Sequence, residues 1–316
     1  MNKYKFLLIT FLIILTACVP EPKTQERNPL TREYHVFQEI ALFNSGSESP
    51  DQQNLWVALI RDFAPYQEVH SRKISPSNHI LLTDEYGNEY AEFDFSIHPP
   101  GKTLRVEITY EITVNEIFYD LSHCEGELID EYTQPELHIE AANPQILEIS
   151  KRLAQKESNV CEKARAFYDY AGDNLIYRFN QKSWGAQTTM GLMGSDCTEY
   201  SSLVIALSRA EKIPARYYEG LLYLDNKTEN LADAQHAWMD IYFPSVGWVA
   251  MDPTLGRMEN ARDNYFAHYT PDHIIVTTGR NPSVLRGSSY MTHLYWPGNS
   301  TKIKLEKLDW KIELIE

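Results

Sequence analysis

The chain has 316 residues, enough for two domains of ordinary size. Its 44 Asp and Glu residues against 29 Lys and Arg give a net charge of -15, which repels nucleic acid. A mean hydropathy of -0.41 excludes a polytopic membrane protein, and four cysteines are too few for a disulfide scaffold. We therefore expect a globular protein with no nucleic-acid partner.

The first element is a predicted lipoprotein signal peptide over residues 1–17. Lys3 and Lys5 precede an apolar run that is too short to span a bilayer. The run ends in Leu-Thr-Ala before Cys18, which resembles the bacterial lipobox, whose cysteine is lipidated after cleavage. A plain secretory signal with an incidental cysteine is the alternative. Residues 18–31 include three prolines and predict an extended tether, so we expect an extracytoplasmic protein that is lipid-anchored to a bacterial membrane.

Residues 32–140 are predicted to form an antiparallel β-sandwich domain. Apolar and polar residues alternate over residues 104–114, as in a strand with one buried face. Gly87-Asn88 is typical of a hairpin turn. Several short strands at this spacing favour a sandwich.

Residues 141–316 are predicted to form one α+β domain. Asn143 and Asn159 are placed as N-caps of two amphipathic helices, and a third helix begins near Cys197. The later residues predict five strands, over 216–224, 236–243, 248–252, 273–278 and 302–314. We assign all of these strands, including the C-terminal one, to this domain.

Cys197 is the candidate nucleophile of this domain. Asp196 suits the N-cap position and Glu199 its capping-box partner, which places Cys197 at the first helical position. Unpaired backbone N–H groups and the positive end of the helix dipole favour a thiolate there. The backbone N–H of Cys197 is a natural oxyanion donor.

Two further residues complete a candidate Cys-His-Asp triad. His236 opens one predicted strand and Asp252 closes the next. A symmetric hairpin would place residue 239 opposite Asp252, so a bulge or the reach of the side chains must bring His236 to it. Cys197 would then attack an acyl carbonyl, His236 would transfer the proton, and Asp252 would orient the imidazole.

The blocks that begin at Gly194, His236 and Asp252 resemble the transglutaminase-like superfamily of cysteine enzymes. The resemblance covers about residues 143–279 and implies a papain-like core, in which the helix carrying the cysteine packs on an antiparallel sheet. It also implies a peptide or protein substrate. Family members often supply a second oxyanion donor from an upstream side chain. Trp184 and Gln187 are candidates for that role, and plain packing is the alternative for both.

Other features limit what the chain can be. Lys212 stands where bacterial relatives of this family usually have glycine, which touches stability rather than chemistry. The sequence contains no P-loop, dinucleotide fingerprint or metal-ligand spacing, so we expect neither cofactor nor metal. Asp252 before a proline, and Arg216, also have plain structural interpretations, as a turn residue and an ion-pair partner.

Cys124 and Cys161 are candidates for a disulfide. If Cys18 carries lipid and Cys197 stays reduced for catalysis, these two are the thiols left to pair. The alternative is that both are buried as small apolar residues.

Three functions are consistent with these residues. The first is a cysteine hydrolase, a peptidase or amidase, that acts through a thioester. The second is acyl transfer from the same thioester to an amine, which cross-links proteins. The third is a catalytically silent, membrane-tethered binding module, and such proteins typically lack a triad residue.

Overall fold

The computed structural model describes residues 28–179, 184–190, 194–224, 235–285, 291–296 and 302–315. The predicted signal peptide, Cys18 and most of the predicted tether lie outside the described residues. Within those ranges, the helices are too short or too polar to cross a bilayer.

Two four-stranded antiparallel sheets pack face to face around the first hydrophobic core. One sheet has the order β14-β1-β6-β3 and contains β1 (Thr31–Asn44), β3 (Gln67–Ser75), β6 (Thr103–Asn115) and β14 (Ile303–Ile315). The other has the order β13-β2-β5-β4 and contains β2 (Asn54–Leu59), β4 (Ile80–Thr83), β5 (Glu89–Asp94) and β13 (Thr292–Tyr295). The predicted antiparallel sandwich is confirmed.

The alternation along β6 shows why this segment forms a strand. Val106, Ile108, Tyr110, Ile112 and Val114 are all buried, and the residues between them are exposed or half-buried. Successive side chains of a strand point to opposite faces, so one face enters the core. The predicted hairpin turn between β4 and β5 is also present, since the backbone N–H of the glycine at its tip donates to the carbonyl at its start.

The last two strands correct the predicted domain boundary. β14 pairs with β1 from Glu33↔Ile315 to Asn44↔Ile303, and β13 pairs with β2. The assignment of residues 141–316 to a single domain is therefore wrong for the chain beyond residue 291. Strand pairing joins segments that are distant in sequence, and no local pattern identifies the partner of an isolated strand.

The second domain packs helices on one face of a four-stranded antiparallel sheet. Its helices are α1 (Pro144–Ala154), α2 (Val160–Asn174) and α3 (Cys197–Ala210). The sheet has the order β10-β9-β8-β12 and contains β8 (Ala215–Leu222), β9 (Gln235–Phe243), β10 (Gly247–Met251) and β12 (His273–Thr278). The short strands β7 (Ile117–Phe118) and β11 (His268–Tyr269) pair beside it. The expected α+β class, with the cysteine helix on an antiparallel sheet, is confirmed.

Local signals set the ends of the helices. The side chains of Asn143 and Asn159 accept backbone N–H bonds at the starts of α1 and α2, as predicted. At the end of α3, the Ile213 N–H donates to the Ser208 carbonyl, while Lys212 adopts a left-handed φ of 61°. Glycine is the usual residue at this position, so the lysine costs about 1–2 kcal/mol of stability.

Cys124 and Cys161 form a disulfide, with 5.9 Å between their Cα atoms. It ties the segment after β7 to the first turn of α2 and closes a loop of 37 residues. We expect the double variant Cys124→Ala/Cys161→Ala to lose about 3–4 kcal/mol of unfolding free energy, because the cross-link restricts the unfolded chain. Urea unfolding measures this loss. Reduced wild type is the control and should unfold with the double variant, and equal stability of the oxidised wild type and the variant would contradict the prediction.

Candidate active site

Cys197 lies at the N-terminus of α3, where the local sequence places it. The Asp196 side chain accepts from the Thr198 N–H at 3.0 Å, and the Glu199 side chain accepts from the Asp196 N–H at 3.1 Å. This is the predicted capping box. Cys197 is half-buried and lies outside the disulfide. Its sulfur therefore combines solvent access with the positive end of a helix dipole.

The segment before the nucleophile is held by a second stretch of chain. The Ser195 N–H donates to the Ile176 carbonyl at 3.0 Å, and the Arg178 N–H donates to the Ser195 carbonyl at 2.9 Å. These bonds form a parallel bridge between Tyr177 and Ser195. The turn that leads into Cys197 is thus fixed on both sides.

His236 and Asp252 meet because of the register of β9 and β10. Gly247 pairs with Phe243 and Met251 with Met239, so the same register places Asp252 opposite residue 238. The symmetric hairpin that predicted residue 239 is wrong by one residue, because the connecting turn has three residues. A two-residue offset keeps both side chains on one face of the sheet. His236 Nε2 lies 2.6 Å from Asp252 Oδ2.

The Asp252 carboxylate is saturated with donors. Oδ2 faces His236 Nε2 and also His273 Nε2, at 3.1 Å. Oδ1 accepts the backbone N–H groups of Thr254 and Leu255 at 2.8 and 2.9 Å. Burial by itself raises the pKa of Asp252, but the two histidines lower it by more, so the pKa lies well below its usual range. Asp252 is therefore an anion throughout the physiological range.

His236 is electrostatically coupled to both neighbours. Burial lowers its pKa, but the Asp252 carboxylate and a side-chain hydrogen bond with Cys197 raise it by more, to about 10. Since Nε2 faces Asp252, Nδ1 is the ring nitrogen left for the Cys197 sulfur. The side-chain hydroxyl of Ser201 on α3 donates to the Ala237 carbonyl at 3.2 Å and holds the helix against β9 beside the imidazole.

With this geometry, the comparisons with known proteins identify the domain. Residues 148–253 match the family model of the transglutaminase-like superfamily. This part of the chain is a transglutaminase-like core. The matched range runs from α1 to the end of the β9–β10 hairpin and includes Cys197, His236 and Asp252.

One solved structure shares the fold of the whole chain. It comes from Cytophaga hutchinsonii and is described as a candidate cysteine protease. It has a TM-score of 0.67 at 15% identity and covers 91% of this chain and 93% of its own. At that identity the likeness establishes the fold, including the sandwich around the transglutaminase-like core.

Two relatives in other bacteria match by sequence. YebA of Bacillus subtilis is 25% identical over 171 residues, which cover 46% of this chain and 23% of YebA. An uncharacterized protein of Haemophilus influenzae is 25% identical over 239 residues, which cover 65% of this chain and 64% of that protein. The chain thus spans less than two thirds of the length of either relative.

The loop before the nucleophile contacts the first turn of α3. The Gly185 N–H bonds Glu199, whose pKa burial and Asp196 raise to about 8. Glu199 is therefore mostly protonated at neutral pH, which spares the Cys197 sulfur a second adjacent anion. Gly185 has a φ of 109°, and a Cβ on it would lie 2.6 Å from Glu140 Oε1. Glycine thus permits the close approach of this loop in the transglutaminase-like core.

The two predicted oxyanion candidates lie on that loop. The Trp184 ring packs edge-on against His138, with 6.0 Å between the ring centroids. The side chain of Gln187 is exposed, and its backbone N–H donates to Glu140 Oε2 at 3.0 Å. The loop lies beside the nucleophile's helix, but these contacts direct the two residues to His138 and Glu140. The second oxyanion donor therefore stays a prediction.

His273 is the site residue that the sequence analysis missed. It appears there only as the start of a predicted strand, and no motif marks it, because β12 is three positions from β10 in the sheet order. Among the described residues, the donor atoms of His236, Asp252 and His273 are close enough to hold a metal ion. The 2.6 Å separation of Nε2 and Oδ2 is, however, a hydrogen-bond distance, and ligands around a zinc ion lie farther apart.

Proposed function

We propose that the chain is a cysteine hydrolase that cleaves a peptide or amide bond through a thioester on Cys197. The observation that carries the proposal is the buried His236–Asp252 pair, whose remaining imidazole nitrogen is left for the cysteine sulfur. The transglutaminase-like fold supports an enzyme of the cysteine-protease type. The particular reaction and the roles of the three residues are our inference.

The proposed reaction follows from the charges of the site. The Cys197 thiolate attacks the acyl carbon, the C–S bond forms, and the carbonyl electron pair moves onto oxygen. The backbone N–H of Cys197 stabilises that oxyanion. As the oxyanion collapses, the C–N bond breaks and the His236 imidazolium protonates the leaving amine. Water then attacks the thioester, His236 takes the proton of that water, and the acid leaves as the thiolate is restored.

Asp252 has the orienting role in this reaction. Its charge stabilises the imidazolium that forms in each half-reaction, and its four donors keep it from taking up the proton itself. Hydrolysis is our first choice over transfer to an amine because water alone completes it. A primary amine that became incorporated into an acceptor glutamine in preference to hydrolysis would establish the transfer reaction instead. The presence of all three residue types opposes a silent binding module.

The proposed thiolate–imidazolium pair predicts alkylation of Cys197 at acidic pH. An ordinary thiol with a pKa of about 8.5 is only about 0.1% ionised near pH 5.5. His236, whose pKa is raised to about 10, stays protonated there and can hold the sulfur as an anion. We expect iodoacetamide to modify wild-type Cys197 near pH 5.5 at no less than about a tenth of its rate near pH 9.5. Peptide mass spectrometry measures the modification of this cysteine alone.

His236→Ala provides the comparison for that experiment. The variant should lower the ratio of the two rates by about 100-fold, because the sulfur then ionises as an ordinary thiol. Dividing the acidic rate by the alkaline rate removes differences in solvent access. A wild-type ratio as low as that of a free thiol would refute the proposed nucleophile.

We further propose that Cys18 carries lipid and anchors the protein outside the cytoplasm. The basic residues, the apolar run and the lipobox-like tripeptide support this, and the disulfide suits an oxidising compartment. Labelling of cells with a radioactive fatty acid should mark the wild type. Cys18→Ala should remain unlabelled, with the signal peptide uncleaved. An unlabelled wild type would disprove the anchor.

A further inference from the structure

A second imidazole holds the carboxylate of the site. His273 is 3% exposed, and its Nε2 lies 3.1 Å from Asp252 Oδ2, the same oxygen that contacts His236. Its Nδ1 lies 2.8 Å from the Thr270 hydroxyl oxygen. The hydroxyl can donate to Nδ1, which leaves the proton on Nε2 to be donated to the carboxylate. A neutral His273 thus satisfies both contacts, and Thr270 selects its tautomer.

The sandwich domain holds the strand that carries His273. β12 is the edge strand of its sheet, and side-chain amides cover its free edge. Gln67 Nε2 donates to the Ile275 carbonyl at 2.9 Å, while the Ile275 N–H donates to Gln67 Oε1 at 2.8 Å. Asn88 forms the same pair of bonds with the backbone of Thr278, both at 2.8 Å. Each amide thus replaces the neighbouring strand that the edge lacks.

The turn before His273 is held by the same domain. The Tyr34 hydroxyl donates to the Pro271 carbonyl at 2.9 Å, and Arg32 forms an ion pair with Asp272. With the two amides, four side chains of the sandwich fix the backbone on both sides of His273. The position of this histidine is therefore set by a domain outside the transglutaminase-like core.

We propose that His273 is a positioning residue, whose Nε2–H keeps Asp252 Oδ2 in line with His236, and that the sandwich domain holds His273 for this purpose. The proposal rests on the function proposed above. Three donors other than His273 contact the carboxylate, but His236 is the one that must move its proton. His273 is thus the side chain that restrains the reacting oxygen itself from the opposite side.

The charged groups around His273 are few. Asp252 and His236 face it from the active-site side, and Asp272 lies next to it in the chain, paired with Arg32. The Tyr269 ring packs 5.7 Å away. Since Asp272 already has a cationic partner, the Asp252 carboxylate is the anion to which the imidazole N–H is directed.

The test uses the ratio of Cys197 alkylation rates near pH 5.5 and near pH 9.5, which needs no substrate. His273→Leu removes the donor, and we expect the ratio to fall about tenfold, the effect of one hydrogen bond to a charged group. His273→Gln places an amide N–H near the former Nε2 and should stay within about twofold of the wild type. A loss of packing alone would affect both variants in the same way.

His268→Gln is the matched control. His268 lies five positions earlier, and its Nε2 faces Glu116 Oε1 at 3.0 Å rather than Asp252. This variant should keep the wild-type ratio. If His273→Leu does not fold, Thr270→Val replaces it, since it removes the hydroxyl that selects the tautomer, and the ratio should again fall.

The outcomes separate the two proposals. A wild type without reactivity at acidic pH would overturn the proposed function. A reactive wild type with a sensitive His236→Ala variant, but with an unchanged ratio in His273→Leu or in its replacement, would overturn the role of His273 alone. Equal losses in His273→Leu and His273→Gln would assign His273 to packing and also overturn the proposal.

Discussion

Replacement of Cys197 by alanine is expected to abolish hydrolysis while leaving the fold intact. The side chain is half-buried at a helix N-terminus, and the capping box beside it does not involve the sulfur. Loss of the nucleophile removes the covalent step, and in serine proteases the corresponding loss in kcat is on the order of 10⁶-fold. The measurement is initial-rate cleavage of substrates selected from a peptide library, with circular dichroism to check the fold.

The other two residues should follow in a definite order. His236→Ala should lose about as much activity as Cys197→Ala, because proton transfer fails at both the attack and the departure of the leaving group. Asp252→Asn should lose less, on the order of 10⁴-fold, since orientation is a smaller contribution than proton transfer. Turnover of Cys197→Ala at the wild-type rate would refute the mechanism. A larger loss in Asp252→Asn than in His236→Ala would reverse the assigned roles.

Replacement of Asp240 by alanine is expected to cause the largest loss of stability. Asp240 is completely buried and accepts hydrogen bonds from Arg216 at 3.0 and 2.5 Å, and from Tyr218. The Arg216 guanidinium also stacks on the Trp248 ring at 3.7 Å. Removal of the carboxylate leaves a buried, unpaired cation, which typically costs about 3–5 kcal/mol. Chemical denaturation measures the change in the free energy of unfolding.

A double variant distinguishes the pair from the packing around it. In Arg216→Met/Asp240→Leu both charges are gone, so we expect most of the lost stability to return. Arg165→Met is a control, because its ion pairs with Asp169 and Asp263 are more exposed, and it should change stability by about 1 kcal/mol or less. If Asp240→Ala unfolds at the wild-type denaturant concentration, the buried charge is not important for stability.

The helices and the nucleophile could be predicted because their signals are local. Asn143, Asn159 and the Asp196–Glu199 capping box act within one helical turn, so their residue types and spacing are sufficient. The position of Cys197 at the first helical residue follows directly from that capping box. Arg216 was expected to be an ion-pair partner, and its contact with Asp240 confirms this.

The pairing of His236 with Asp252 could be predicted only in part. Both residues lie on neighbouring strands of one hairpin, which the sequence indicates. Their offset depends on the turn, where Ser245 and Gly247 adopt φ values of 67° and 94°. A change of one residue in that turn exchanges the faces of the sheet, so the contact between the side chains depends on backbone geometry that no residue pattern expresses.

The sequence by itself determined the helix ends, the strand-forming segments and the residue types of the site, because these depend on neighbours within a few positions. Only the tertiary structure decided that β14 joins β1 and that His273 reaches Asp252. Both contacts join segments far apart in the chain, and strand pairing and side-chain contact across a sheet depend on which surfaces are buried together. The alternation along β14 predicts a strand with one buried face, and the folded chain alone supplies the sheet that buries it.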